Sequence, residues 1–291
     1  MCENIEMSGF RLRRESYGLS LILDESRIDE SVEFMIQRNL KALEINHMFH
    51  YSSHNLEHLV SFPFVKHLNI VAPITDYEGL YYLKKLQTLY LQTGATNAVV
   101  FSGFRQLKEC MFCWSRMTGE TILDCQKLKS LHIDRFPYSN LKILGKLPYL
   151  SKLTLSNSTH VLELTGISSL RRLNSLDLSY LPSLRQIRDI KHLDQLRSLE
   201  VYTCKGIEDL ESIGNIRNLE SLMLNNVGSI PSIEFIRDLR GLRRFHFIES
   251  TNVRSGDLRP IADAESLRDV SFQNRKHYTH KREDFGFPLG E

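Results

Sequence analysis

The chain has 291 residues, 42% of them hydrophobic and 25% charged, with a formal net charge of +2. Such a balance describes an ordinary water-soluble composition and selects neither nucleic acid nor a membrane surface as partner, and no run approaches the roughly 18 to 20 apolar residues that span a bilayer. Five cysteines (Cys2, Cys110, Cys113, Cys125, Cys204) are an odd number, and the opening residues hold no apolar segment of a secretory leader, so the sequence points to a reduced, cytoplasmic protein.

Residues 1–15 are mixed and basic at Arg11, Arg13 and Arg14, after which Gly18, Leu21 and Leu23 sit at the offsets of a degenerate first strand. A short helix is predicted over 29–39, with Asp29 as its cap and Val32, Met35 and Ile36 on one face. Residues 1–39 thus read as an N-terminal cap, which a repeat array needs because its end would otherwise expose a leucine layer.

From Leu40 onward one spacing returns: an apolar residue, two others, an apolar residue, one other, an apolar residue, as in Leu196-Arg197-Ser198-Leu199-Glu200-Val201. It opens at Leu40, Val65, Leu86, Leu107, Leu128, Leu150, Leu173, Leu196, Leu219, Leu242 and Leu267, at intervals of 21 to 25 residues. Residues 40–272 are therefore predicted as eleven repeats within a single domain, 1–291, that grows by stacking. Alternation such as Leu89-Tyr90-Leu91 predicts one strand per repeat, buried on one side. Return segments such as 187–193 and 210–216 place apolar residues three apart, the footprint of short helical or 3₁₀ turns. Strands stack at roughly 4.8 Å while the outer segments are wider, which implies a curved α/β solenoid with a parallel sheet on its concave face and the 3₁₀ turns on its convex face. Residues 273–291 read as a C-terminal cap or tail: 274–282 is basic, Tyr278 within it is expected to cover the last apolar layer, and 285–291 are expected to be loosely ordered.

These offsets, over about residues 18–272, resemble the leucine-rich repeat family. The asparagine that many such repeats carry after the strand is absent; that column reads Met48, Pro73, Gly94, Ser115, Phe136, Ser158, Leu181, Cys204, Val227, Ser250 and Arg275. The segment 199–207, with Cys204, is similar to the cysteine-containing repeats of plant disease-resistance receptors, and the return segments are similar to those of internalins and phosphatase-regulatory proteins. The resemblance implies a non-enzymatic, monomeric module that holds a protein partner on the concave face, as an inhibitor, an immunity-type protein or a regulatory subunit, without a cofactor.

In such a fold the binding residues are strand residues that point away from the core. Tyr90, Met111, Cys113, Trp114 and His132 fall together in three consecutive repeats, and Trp114 is the only tryptophan, so they form the leading candidate contact patch. Alternatively Trp114 folds over the strand end against Phe136 or Tyr138. A second strip, Asp177, Tyr180, Glu200, Tyr202, Met223 and His246, either extends the footprint or is an ordinary solvated face. The position after each first leucine is mostly basic, with Lys108, Lys129, Arg197 and Arg243 prominent. This edge gives the alternative function, contact with nucleic acid or a phosphate-bearing ligand, against a plain solvated rim; no aromatics interleave it for base stacking.

Catalytic and metal signals are weak. Alternation sends Cys110 inward and Cys113 outward, which argues against a metal or redox pair, and His54 and His58 lack the order of a zinc-protease motif. No catalytic residue, metal site or cofactor is assigned.

Overall fold

The computed structural model describes residues 4–92 and 99–286, in two compact units, Met1–Leu131 and His132–Glu291. The first unit opens with an antiparallel hairpin that the basic N-terminal stretch conceals. β1 (Asn4–Met7) pairs with β2 (Phe10–Glu15), which pairs antiparallel with β3 (Gly18–Ile22). Its turn residues Ser8 and Gly9 take φ of 54° and 76°, the left-handed pair that suits the twist of a two-residue hairpin. In β2 the buried residues are Phe10 and Leu12, with Arg11 and Arg13 between them, so the arginines belong to an alternating strand.

Between β3 and the first full repeat lies α1 (Ile28–Gln37). The cap expected at Asp29 is not formed. Asp24 instead caps a preceding 3₁₀ turn, Glu25–Arg27, by accepting the Ser26 N–H at 3.0 Å. The chain therefore enters α1 through Arg27, with Asp29 in its first turn. The buried stripe is Ser31, Phe34 and Met35, while Ile36 is 58% exposed. The repeats follow in parallel: β4 (Ala42–Asn46), β5 (His67–Val71), β6 (Thr88–Leu91) and β7 (Glu109–Cys113).

The division between units falls within β8 (Ser130–Asp134). In the second unit the strands are β9 (Lys152–Ser156), β10 (Ser175–Ser179), β11 (Ser198–Tyr202), β12 (Ser221–Asn225), the short β13 (Ser229–Ile230), β14 (Arg244–Ile248), the short β15 (Asn252–Val253) and, after α2 (Arg259–Asp263), β16 (Asp269–Phe272). From β9 to β12, then β14 and β16, each long strand pairs in parallel with the next, so Leu153, Leu176, Leu199, Leu222, Phe245 and Val270 stand directly beside one another. The short strands β13 and β15 form a separate two-residue ladder. Return segments such as Arg188–His192, Leu210–Asn215 and Glu234–Asp238 are 3₁₀ turns that bury Ile190, Ile213 and Ile236. This is the α/β repeat solenoid that the periodicity predicts.

A strand that turns toward the core must still satisfy its backbone groups. Here, hydroxyls and a thiol do so in place of asparagine. Ser158 Oγ accepts from Phe136 N–H at 2.9 Å and donates to Ser156 O at 2.8 Å. Cys204 Sγ lies 3.3 Å from Tyr202 O and 3.4 Å from Leu178 O. Thr251 Oγ1 donates to Leu224 O at 2.9 Å and accepts from Val227 N–H at 3.2 Å. In the repeat that opens at Leu242, 25 residues long, the buried group is Thr251 and not Ser250, because the turn holds one extra residue. Strands β8 to β12 and β14 are each followed by a non-glycine residue with positive φ: Arg135, Asn157, Tyr180, Thr203, Asn226 and Glu249, at 49° to 59°. The left-handed conformation costs a side-chain-bearing residue roughly 1 to 2 kcal/mol.

At the C-terminus Tyr278 sits 6.0 Å from the Phe272 ring and 6.3 Å from Phe247, and its hydroxyl accepts from Val253 N–H at 3.1 Å. The neighbouring cations are held by carbonyls: Arg275 donates to Glu249 O and Thr251 O, and Arg282 to Val270 O. Phe285, expected to be loose, meets Phe272 edge-on at 6.0 Å. Residues 287–291 lie outside the described residues, as does Gly94.

Leu199 is 1% exposed between Leu176 and Leu222. Leu199→Asp buries an unpaired charge and should cost about 4 kcal/mol or more by chemical denaturation; an unchanged midpoint would mean that the ladder register is wrong.

Candidate partner-binding face

In the first unit the open face of the sheet is less open than its columns imply. Glu44, Asn46 and Asn69, all at outward positions, are buried, with Glu44 at 0% exposure. Arg13 of β2 reaches Glu44 at 2.7 Å, Asn46 Nδ2 donates to the same carboxylate at 2.7 Å, and Gln92 Nε2 donates to Asn69 Oδ1 at 2.8 Å. Tyr17 stacks on His67 with ring centres 4.4 Å apart and planes within 7°. The N-terminal hairpin thus covers the first rungs through a buried ion pair whose remaining acceptor positions are hydrogen-bonded, the condition for tolerating such a pair.

Trp114 is corrected outright. It is 8% exposed, stacks at 5.9 Å on the buried Phe112 ring, and rests on Gly119, where an added Cβ would stand 2.6 Å from the indole. Alternation from Cys110 and Phe112 carries position 114 to the core side, where Gly119, five residues beyond Trp114, provides a flat seat for the ring. Tyr90, Met111 and Cys113 remain half-buried on the outward side, with Tyr90 and Met111 directly paired and the Tyr90 hydroxyl donating to Glu109 at 2.9 Å. Cys110 is in the core, as alternation requires.

His132 belongs to the second unit. Its Nε2 lies 2.9 Å from Ser156 Oγ, which donates to Asp134 at 3.1 Å. Burial holds its pKa below the ordinary value against the pull of Asp177 and Asp134. Because the Ser156 hydroxyl gives its proton to Asp134 and not to His132, the arrangement differs from a nucleophilic relay, in which the histidine takes that proton and an acid orients the histidine.

The second strip is brought together by the register itself: Asp177, Glu200, Met223, His246 and Ser271 stand side by side across β10, β11, β12, β14 and β16. Burial lifts the Asp177 carboxyl above its ordinary value despite a 2.5 Å hydrogen bond from Ser179, and the Glu200 charge pushes the same way. Neither acid has an arginine or lysine partner among the described residues. Tyr202 closes the group, its hydroxyl 3.2 Å from Glu200 and 2.8 Å from Met223 Sδ, with its pKa pushed up to about 12 by burial and by Glu200. Tyr180, at the end of β10, is 56% exposed. His246 is 3.0 Å from Asp269.

Along the strand-start edge, Lys108 donates to Gln87 at 2.9 Å and Lys129 is exposed. Arg197 and Arg243 of the second unit meet in a cleft of about 490 Å³. The two histidines considered for metal are otherwise engaged, His54 with Pro73 O at 2.8 Å and His58 with Glu25 at 3.4 Å. No cluster of three or more potential metal-ligating side chains exists among the described residues, nor is any helix there long and apolar enough to cross a membrane. Burial pushes the thiols of Cys125 and Cys204 up to about 12 and about 11, which makes them poor nucleophiles.

Parallel rungs in chain order, short strands that return mostly through 3₁₀ turns, define a repeat solenoid. Apolar residues, mostly leucine, stand at the same offsets from rung to rung, the pattern of a leucine-rich-repeat fold. No family model and no curated protein matches the chain. Among solved structures it is similar to an internalin (inlF) from Listeria monocytogenes, with 18% identity, 81% of this chain and 82% of that chain covered, and a TM-score of 0.48. It is also similar to an internalin C2 (inlC2) from the same species, with 18% identity, 86% and 93% covered, and a TM-score of 0.45.

Two outcomes follow for stability. Trp114→Ala should cost about 3 to 5 kcal/mol, as for other buried aromatics, and Gly119→Ala should also destabilise by driving a methyl into the indole; thermal melts of both variants that match the parent would return Trp114 to the surface. Asp177, with its folded pKa above the unfolded one, contributes stability only below the unfolded value, and that contribution is lost as pH rises through the folded value. Asp177→Asn should therefore raise Tm at pH 7, with the gain closing as pH falls below about 4; melts at both pH values check this.

Proposed function

We propose that this protein is a non-enzymatic, monomeric, cytoplasmic binding module that holds a protein partner on the open face of its second unit, in the manner of an inhibitor, an immunity-type protein or a regulatory subunit. The footprint centres on Asp177, Glu200, Tyr202 and Met223, flanked by Tyr180, His246 and His132. On the first unit's own face, Tyr90, Met111 and Cys113 are a further contact patch.

The observation that carries this reading is the pair of adjacent, half-buried carboxylates, Asp177 and Glu200, with no arginine or lysine partner among the described residues. Like charges in directly opposed positions of neighbouring strands destabilise the fold. A lysine or arginine from a partner would relieve that repulsion, and the tyrosine rings beside it supply apolar area and a face for the cation. Buried, unreactive thiols at Cys125 and Cys204 accord with a reducing compartment. The basic tail is not favoured as a nucleic-acid contact, since Arg275 and Arg282 already donate to backbone carbonyls.

The test is affinity capture from native lysate after nuclease treatment, with the parent chain and the Asp177→Asn/Glu200→Gln double variant as baits. A protein retained by the parent should be lost or weakened at least tenfold by the double variant while its melting profile stays cooperative. Equal retention by both baits would place the footprint elsewhere.

A further inference from the structure

The cleft at the strand-start edge of the second unit is built by the same register that aligns the acids, on different residues. The residue after the first leucine is Arg197, Glu220, Arg243 and Arg268 in four successive repeats, and these are tied backbone to backbone: Glu220 N–H to Arg197 O, Arg243 N–H to Glu220 O and Arg268 N–H to Arg243 O, each at 2.8 Å. Two further arginines, Arg217 and Arg240, stand two residues before the first leucine of their repeats and complete the wall. Five arginines and one glutamate give the lining a charge of +4, in a chain whose formal net charge is +2.

Part of this charge is already engaged. Glu220 is taken by Arg197 at 2.7 Å, and Arg268 folds back on the carbonyls of Glu265 and Leu267 at 2.6 and 2.7 Å. Arg217, Arg240 and Arg243 make no side-chain hydrogen bond or ion pair among the described residues, and all three are exposed. Three uncommitted guanidiniums therefore converge on a cleft of about 490 Å³, within the roughly 300 to 1,000 Å³ of small-ligand sites. Stacking cations at strand spacing raises the energy of the free protein, and an anion lowers it.

We propose that this cleft binds a small ligand carrying two or more adjacent phosphate groups. Guanidinium forks match phosphate oxygens in bidentate pairs, and three of them across two neighbouring rungs match phosphates joined to one another better than a single charge. The remaining lining is Asn218, Gly241 and Ser266, with no aromatic ring to stack a base and no apolar anchor for a peptide. The site is independent of the acidic strip, so partner capture on the open face and phosphate binding at the edge stand or fall separately.

The experiment is calorimetric titration of the full chain with inorganic tripolyphosphate at physiological salt. Saturable one-to-one binding is expected, weakened at least tenfold by Arg240→Ser or Arg243→Ser, weakened less by Arg243→Lys, which keeps the charge and loses the fork, and abolished in the Arg217→Ser/Arg240→Ser/Arg243→Ser variant. Lys108→Ser, on the other unit's edge, should bind like the parent. Absence of saturable binding, equal binding by the triple variant with its circular dichroism unchanged, or a single-stranded oligonucleotide binding more than a hundredfold tighter would overturn the proposal. A parallel arm sediments the protein with phosphatidylcholine vesicles with and without a phosphoinositide bisphosphate. Retention that depends on the phosphoinositide and on the three arginines assigns the phosphates to a lipid headgroup, and tripolyphosphate binding without vesicle retention assigns them to a soluble ligand; either upholds the site.

Discussion

The constraint on which the rest depends is register. Each repeat lays its strand beside the preceding one with the same positions opposed, so a core residue meets a core residue, most often leucine on leucine, and the core continues from rung to rung. A slip by one residue would turn every leucine of the strand to water and every polar residue to the core. The ladder hydrogen bonds fix the spacing, while burial of the leucines, worth about 25 cal/mol per Å² of apolar surface removed from water, fixes the phase.

Register also makes neighbours of whatever occupies the outward positions. Asp177 meets Glu200, Glu200 meets Met223, and on the edge Arg243 meets Arg268. In a globular core such residues would be scattered by the fold, but a solenoid concentrates charge of one sign wherever one column repeats it. Where the chain needs to compensate such a column it does: Glu44 has Arg13, and Arg197 has Glu220. The acid pair on β10 and β11 and the three arginines at the edge have no such ion-pair partner among the described residues, and that contrast marks them as candidate sites.

Much of the fold was legible because both periods are written in side chains, two for the strands and three for the 3₁₀ turns. The N-terminal hairpin was not, since Ser8-Gly9 is a weaker turn signal than asparagine-glycine and its strand alternates arginine with apolar residues. For the same reason nothing in the sequence signals the burial of Glu44, Asn46 and Asn69, which hold outward strand positions: their cover comes from a segment with no leucine signature. Residue type alone groups Trp114 with the outward Tyr90 and Met111, whereas period-two alternation from Cys110 and Phe112 puts position 114 on the core side, and its seat at Gly119 has meaning only once the indole is seen above it. The basic column was visible, whereas the convergence of Arg217 and Arg240 on Arg243 required the repeats to be stacked.

The central claim is that Asp177 and Glu200 form an uncompensated pair held together by the ladder. Carbon-detected NMR titration of the Asp177 carboxyl, in the parent chain and in Glu200→Gln, tests it most directly. The account predicts a pKa above the ordinary aspartate value in the parent and a lower one when the Glu200 charge is removed. An ordinary or depressed pKa in the parent, or one indifferent to Glu200, would contradict it.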